Sequence, residues 1–276
     1  MNREMLHSAD HARINGETRL YAIIGYPIIQ VRSPEVFNPR FSRAGRNAVL
    51  VPLEVHPDRL EQAVAGLFAC ANLDGLVVTV PHKTRMIGLV DEVLPTGAVV
   101  GAINAARREA DGRWVGDMFD GRGCVRGLRK QGIEPAGRSA LLVGAGGAGS
   151  AVAFALAEAA ISRLTIFDVD AARASRVVAG IGRSYPAVRA EMGPPVPTRD
   201  HDLVINATPL GMAPGDPLPV DPGTLDASMV VVDVVMKPEM TPLLRAAAAI
   251  GCRIQPGRHM LEGQADAVAS FFGLPP

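Results

Sequence analysis

Apolar residues along this chain gather in short runs separated by longer amphipathic stretches. Leu20–Ile24, Ala48–Leu53 and Gly75–Val80 read as strands, and the stretches around 34–44, 57–71 and 83–91 read as helices. This alternation predicts βαβ units and a largely parallel sheet. Gly101–Arg107 and Arg113–Val115 flank the turn signal Asp111-Gly112 and predict a hairpin added antiparallel to that sheet, with Trp114 packed within it. A helix over about 121–131 leads into a second alternating series. There, 140–143 and 161–167 read as strands around a small-residue helix at 150–160, followed by strands at Leu203–Asn206 and Met229–Asp233. A helix at 241–250, a strand near 252–255 and a last helix over about 259–272 complete the series. No strand follows that helix, so it is expected to pack back across the first unit. Residues 1–16 read as a frayed or weakly helical extension, and the Pro/Gly-rich stretches 193–197 and 213–223 read as surface loops.

The strand at 140–143 runs straight into Gly144-Ala145-Gly146-Gly147-Ala148-Gly149, a GxGxxG loop placed mid-chain. Gly144 allows the tight turn off the strand, Gly146 lets backbone approach a pyrophosphate, and Gly149 lets the next helix pack close to the sheet. The start of that helix offers free N–H groups and a positive dipole end to phosphate. Asp168 ends the following strand at the offset of about 20 residues expected for an acid that binds the adenosine ribose. Its other reading is a solvated residue capping the next helix. A nucleotide domain thus follows something else, and two domains are the economical division of 276 residues.

Charge and cysteine content narrow the partner classes. Lys plus Arg and Asp plus Glu number 28 each, so zero net charge points away from nucleic acid and membrane and toward a small-molecule function. Cysteines at 70, 124 and 252 form no CxxC pair and no metal-ligand spacing. That pattern fits a reduced cytoplasmic protein with structural cysteines and no metal site. A polar N-terminus without an apolar core segment argues against a signal peptide, and no apolar stretch is long enough for a membrane span.

In the first unit, Val78-Thr79-Val80-Pro81-His82-Lys83 sets a lysine just beyond a strand. Asn104 on the next strand and Asp120 after the hairpin take equivalent positions. Ligands of parallel α/β sheets gather beyond the carboxyl ends of strands, so these three polar residues predict one site. Taken alone, each is equally a solvated surface residue.

With these residues in view the chain resembles the shikimate dehydrogenase family from about residue 19 to its C-terminus. The resemblance rests on Ile24-Gly25-Tyr26-Pro27-Ile28 followed by Arg32-Ser33-Pro34, on VTVPHK at 78–83 and on GAIN at 101–104. It continues through GDMFDG at 116–121, GAGGAG at 144–149, NATPLGM at 206–212 and MLEGQ at 260–264. It implies an α/β fold of two α/β domains. These are a substrate-binding catalytic domain with a mainly parallel mixed sheet at 19–120, joined by the C-terminal helix 257–276, and a Rossmann-like domain at 121–256, after an extension at 1–18. It implies reversible hydride transfer between a nicotinamide cofactor and shikimate/3-dehydroshikimate or a related cyclic hydroxy acid, quinate included. Lys83 and Asp120 would be the proton-transfer pair, and Ser33, Thr79, Asn104 and Gln264 the substrate contacts. The cofactor contacts would be Gly144, Gly146, Gly147, Ala148, Gly149, Asp168, Asn206, Thr208 and Gly257. The pairing suits the chemistry, because a hydride leaving a carbinol carbon requires the hydroxyl proton to leave at the same centre. The fold is also compatible with a homodimer.

Several positions depart from the family pattern. Val31 replaces the first serine of Ser-x-Ser-Pro, Met118 and Phe119 replace the Asn-Thr of GDNTDG, Val77 replaces an asparagine, and Gly257-Arg258-His259 stands for Gly-Leu-Gly. Losing two hydroxyl donors to a carboxylate, at about 1.5–3 kcal/mol each, would weaken binding by roughly two to four powers of ten. The expectation is therefore a retained catalytic pair in an altered pocket, either more apolar or with the carboxylate held by Arg32 or Arg258. His82 and His259 adjoin the expected site as possible donors or as packed residues. Asp168-Val169-Asp170 stands where NADP-using members carry Asn-Arg-Thr, so two carboxylates favour NAD over NADP, with Arg173 nearby as a possible contact. A non-catalytic nucleotide-binding regulator on the same fold is the competing class, favoured by the lost anchors and opposed by the retained Lys83, Asn104, Asp120 and Gln264.

Overall fold

The computed structural model describes residues 14–274, so residues 1–13 of the expected N-terminal extension lie outside the described residues. The first half is built on β1 (Arg19–Gly25), α1 (Ser33–Arg43), β2 (Ala48–Glu54), α2 (Leu60–Ala69) and β3 (Leu73–Val78). It continues with β4 (Glu92–Val93), α3 (Pro95–Val100), β5 (Ala105–Arg108) and β6 (Trp114–Asp117). The sheet order is β2-β1-β3-β5-β6-β4. β1 lies parallel to both β2 and β3. β5 and β6 enter antiparallel, as the hairpin signal predicts, so the sheet is mixed.

The second half comprises α4 (Asp120–Lys130), β7 (Ser139–Val143), α5 (Gly147–Glu158), β8 (Arg163–Phe167), α6 (Ala171–Ser184) and β9 (Arg189–Met192). It ends with β10 (Leu203–Asn206), β11 (Val230–Asp233), α7 (Pro242–Ile250), β12 (Arg253–Gln255) and α8 (Arg258–Phe271). Its strands run β9-β8-β7-β10-β11-β12 and every pairing is parallel. This is the doubly wound dinucleotide-binding order, with its switch point between β7 and β10.

Alternation along the strands divides each half into two hydrophobic layers. Leu142, Ile166, Ile205 and Val232 face one layer with α5 and α6, while Leu141, Val143, Val204 and Val231 face the other with Leu243 and Leu244 of α7. In the first half, Tyr21 and Ile23 share a cluster with Phe37 and Phe41 of α1 and with Val268 and Phe271 of α8. The last helix therefore returns across the first sheet as expected. Trp114 stacks on Phe68 at 4.0 Å, a packed hairpin residue. α4 reaches α8 and α5 closely because Gly121, Gly123 and Gly127 put no side chain in the way. A Cβ on Gly123 would lie 2.3 Å from the Met260 carbonyl oxygen, and one on Gly121 2.0 Å from that of Ala151.

Four features differ from the sequence expectation. The expected 83–91 helix is only a 3-10 turn over Arg85–Leu89, because Asp91 and Glu92 are drawn into pairing with β6 and end it. α3 was not expected, although Pro95 at its start and Gly101 in a left-handed conformation (φ 73°) at its end are the usual boundary signals. The Gly75–Val80 strand ends at Val78, and the Gly101–Arg107 strand begins only at Ala105. β9, with the sequence Arg-Ala-Glu-Met, carries no apolar run because it is an edge strand.

Candidate active site

The carboxyl ends of β3 and β6 and the turn before β5 deliver Lys83, Asp120 and Asn104 to one point. The chain leaves β3 through Thr79, whose N–H donates to the Ile24 carbonyl, and Lys83 is fixed where its carbonyl accepts from Ile103 N–H at 3.0 Å. Asn104 donates its backbone N–H to Asp117 O and accepts Val78 N–H, so its side chain has one direction to take.

The Lys83 ammonium donates to Asp120 Oδ2. Asp120 is 2% exposed and Lys83 8%. A buried ion pair is sustained only when its remaining lone pairs are satisfied. Here Asn104 Nδ2 donates to Asp120 Oδ1 at 2.8 Å and to Gln264 Oε1 at 2.7 Å, while Asn104 Oδ1 accepts Phe119 N–H at 2.9 Å. Four residues from four segments of the chain thus form one hydrogen-bonded cluster, and Lys83 is the member that lines the adjoining cleft.

That cleft, about 1070 Å³, runs from Val80, Lys83 and Gly101 on the first half to the glycine loop, Asp168 and Thr208 on the second. Gly147 touches Lys83: a Cβ there would sit 2.9 Å from the lysine Cβ. Gly144 adopts φ +101°, a conformation suited to glycine, and a Cβ on Gly149 would fall 1.9 Å from the Gly144 carbonyl oxygen. Gly146, the residue before α5, makes no side-chain cap, so the first N–H groups of that helix stay available. Bare backbone, a free helix start and a long cleft are the features a dinucleotide pyrophosphate requires. Asp168 lines the cleft and also holds its turn, accepting from Ala145 N–H at 2.6 Å and Asp170 N–H at 2.8 Å. Thr208 lies on the cleft wall, and Asn206 stands behind it, accepting both the Thr208 N–H and its hydroxyl.

Other expected residues sit elsewhere. Gly257 does not line the cleft: it is buried at the start of α8, where a Cβ would lie 2.5 Å from the Val235 carbonyl oxygen, so its lack of a side chain serves helix packing. Ser33 is buried as the first residue of α1, and Thr79 is half-buried with its methyl against Gly25. Arg32 pairs with Glu35 at 2.7 Å and Arg258 with Glu239 at 3.0 Å, both in exposed ion pairs that leave the two cations free to exchange partners. His82 is fully buried with Nε2 2.8 Å from the Val55 carbonyl, and burial holds its pKa below the ordinary imidazole value, so the neutral ring donates to that carbonyl. His259 meets Gln131 at 2.9 Å between α4 and α8. Cys124 and Cys252 are buried, the Cys124 thiol pushed up to about 12 by burial and by nearby Asp120, whereas Cys70 is exposed.

Val31 and Phe119 pack in one apolar cluster with Phe37 and Phe271, and the Phe119 and Phe271 rings lie 5.2 Å apart. Sequence reasoning missed Asp233, a fully buried carboxylate ending β11, although its apolar run closed by an acid repeats the pattern of β8 followed by Asp168. Among the described residues no cluster of His, Cys, Asp or Glu is arranged to hold a metal ion, and no helix is long and apolar enough to cross a membrane.

Comparison with known proteins agrees with this geometry. Residues 23–106 match the shikimate dehydrogenase substrate-binding domain model. A shikimate dehydrogenase (NADP(+)) of Rubrobacter xylanophilus is 39% identical over 269 residues, spanning 96% of this chain and 94% of that protein. The shikimate 5-dehydrogenase of Listeria monocytogenes, solved with shikimate and NAD, superposes with a TM-score of 0.81 at 29% identity and 95% coverage of both chains. The quinate dehydrogenase of Corynebacterium glutamicum, solved with NAD, gives 0.80 at 29% identity over 94% of this chain and 95% of that one. The chain belongs to the shikimate dehydrogenase family and is an oxidoreductase of the shikimate/quinate dehydrogenase type.

Proposed function

We propose that this enzyme moves a hydride reversibly between a nicotinamide dinucleotide and a secondary hydroxyl of shikimate or a closely related cyclic hydroxy acid, with Lys83 and Asp120 as its proton-transfer pair. The observation that carries this is the buried Lys83–Asp120 pair opening onto a cleft whose far wall is the glycine loop. The bound nicotinamide supplies the hydride acceptor or donor. In the oxidising direction the neutral Lys83 amine takes the hydroxyl proton; in the reducing direction its ammonium returns that proton to the carbonyl oxygen. Asp120 holds the lysine in place, and Asn104, locked between Asp120, Gln264 and Phe119 N–H, holds Asp120. Contact between Gly147 and Lys83 keeps the dinucleotide loop and the proton carrier together, which is the proximity a concerted transfer needs.

For the cofactor the proposal is a preference for NAD. Asp168 and Asp170 both line the cleft, where a ribose diol would find acceptors; a 2′-phosphate would meet these two carboxylates as well as Arg173, Arg176 and Arg183 of α6, with Arg173 paired to Asp170 at 3.2 Å. Relatives named for NADP make this the point where the chain would depart from them. For the substrate, Val31 and Phe119 would make a wall at these positions more apolar than two hydroxyls would, and shikimate and quinate are both candidates.

The test is a panel of shikimate, quinate and related alcohols with NAD or NADP, followed by the absorbance of reduced nicotinamide. Turnover in the wild type should fall by about a hundredfold or more in Lys83→Ala, the loss of one general acid–base. Unchanged activity in that variant overturns the mechanism, and a higher kcat/KM with NADPH than with NADH overturns the cofactor preference.

A further inference from the structure

Asp233 is fully buried, and the hydrogen bonds it receives come from neutral groups on three segments. Its Oδ1 accepts Asn206 Nδ2 at 3.1 Å and Val235 N–H at 3.0 Å, and its Oδ2 accepts the Thr241 hydroxyl at 2.7 Å. None of its partners is a cation. Asn206 stands opposite it in register on β10, and Gln255 on the neighbouring β12 is also uncharged. The charged side chains of its own loop, Lys237 and Glu239, are exposed, and Glu239 is taken up by Arg258.

What this carboxylate holds is the cleft wall. Asn206 has two N–H donors: one goes to Asp233, the other to the Leu210 carbonyl at 3.1 Å. With its nitrogen committed to these acceptors, the amide oxygen must face Thr208, accepting its N–H at 3.0 Å and its hydroxyl at 2.6 Å. The Thr208 hydroxyl in turn accepts Leu210 N–H at 3.1 Å. Residues 207–210 all line the cleft, and they lean on the glycine loop: a Cβ on Gly144 would lie 2.8 Å from the Ala207 carbonyl carbon. Without an acceptor at Asp233 one Asn206 donor is unpaired, and a flipped amide would point N–H at N–H across the turn.

We propose that Asp233 is a positioning residue of the dinucleotide cleft, fixing the 207–210 wall against the glycine loop through the orientation of the Asn206 amide. The inference rests on the reading of this cleft as the dinucleotide site. Asp233 touches neither cofactor nor substrate, so its loss should weaken dinucleotide binding while leaving the Lys83 chemistry intact at saturation.

The test is titration of the enzyme with NADH and with NADPH by nicotinamide fluorescence, together with kcat and KM for both substrates. In Asp233→Ala the dissociation constant for the preferred dinucleotide should rise about tenfold, the weight of a lost charge-assisted hydrogen bond, with kcat within about twofold and the KM of the carbocyclic substrate unchanged. Asp233→Asn keeps an acceptor toward Asn206 and should recover most of that loss. Thr241→Val frees the carboxylate from its far anchor and should raise the constant about threefold. Should Asp233→Ala fail to fold, Thr241→Val decides the matter. Wild-type dinucleotide binding in Asp233→Ala, or in Thr241→Val if the alanine variant does not fold, overturns the inference alone. A wild type that binds neither dinucleotide overturns the reading of the cleft and the inference with it.

Discussion

At the scale of single residues, two buried carboxylates are handled in opposite ways. Asp120 faces a lysine and an amide donor, so its charge is neutralised where it is used. Asp233 receives three dipoles and no cation, and burial pushes its pKa from 3.8 up to about 6. The folded protein therefore binds more protons than the unfolded chain between those values, and the stability Asp233 allows is complete below about pH 4 and lost as pH rises through about 6. That rise in pKa is worth about 3 kcal/mol, a large share of a typical folding free energy. Asp233→Asn removes that proton linkage, so its Tm should exceed that of the wild type near neutral pH and the advantage should vanish near pH 4. Parallel thermal melts across that range check it, and equal differences at both ends would refute it. Lys83, Asn104, Asp120 and Gln264 were legible as residue types in family motifs. Asp233 was not, because the meaning of an acid at the end of a strand depends on whether anything charged lies opposite.

At the scale of elements, chain periodicity located most strands and helices, and the exceptions share one cause. Where an element is short or at an edge, its neighbours decide its form: β6 captures Asp91 and Glu92 and cuts the expected helix to a 3-10 turn, and β9 is strand by pairing with β8 although it carries no apolar run. The contact of α4 with α8 sets the position of Asp120 and Gln264, which begin and ride those two helices. Gly123→Ala tests that contact. Alanine gains up to about 1 kcal/mol of helix propensity over glycine, but its Cβ at 2.3 Å from a backbone oxygen forces the helices apart. Overpacking of this kind costs about 1–3 kcal/mol and should win, lowering Tm by about 5 °C and reducing activity as the Asn104–Gln264 bond lengthens. A Tm at or above that of the wild type would show that the propensity gain prevails.

At the scale of the whole molecule, Val31, Phe119 and Phe271 are brought into one apolar cluster from the loop before α1, the turn before α4 and the end of α8. A pocket bounded by these apolar side chains would suit a carboxylate less well than one lined by two hydroxyls. Restoring the hydroxyls in Val31→Ser/Phe119→Thr should raise kcat/KM for shikimate by about tenfold or more, allowing for the packing that Phe119 gives up. Comparable turnover of shikimate in both proteins would remove the altered pocket from the account. By itself the sequence determined the α/β class, the glycine loop and the polar residues that could do chemistry, because strand and helix periodicity and the steric needs of a phosphate turn are local properties of the chain. Only the tertiary structure decided that Gly257 serves packing, that Asn104 pairs its amide with Asp120 and Gln264, and that Asp233 is buried against Asn206 behind the cleft wall. Those outcomes depend on which distant side chain stands within hydrogen-bonding or contact distance, and that proximity exists only in the folded molecule.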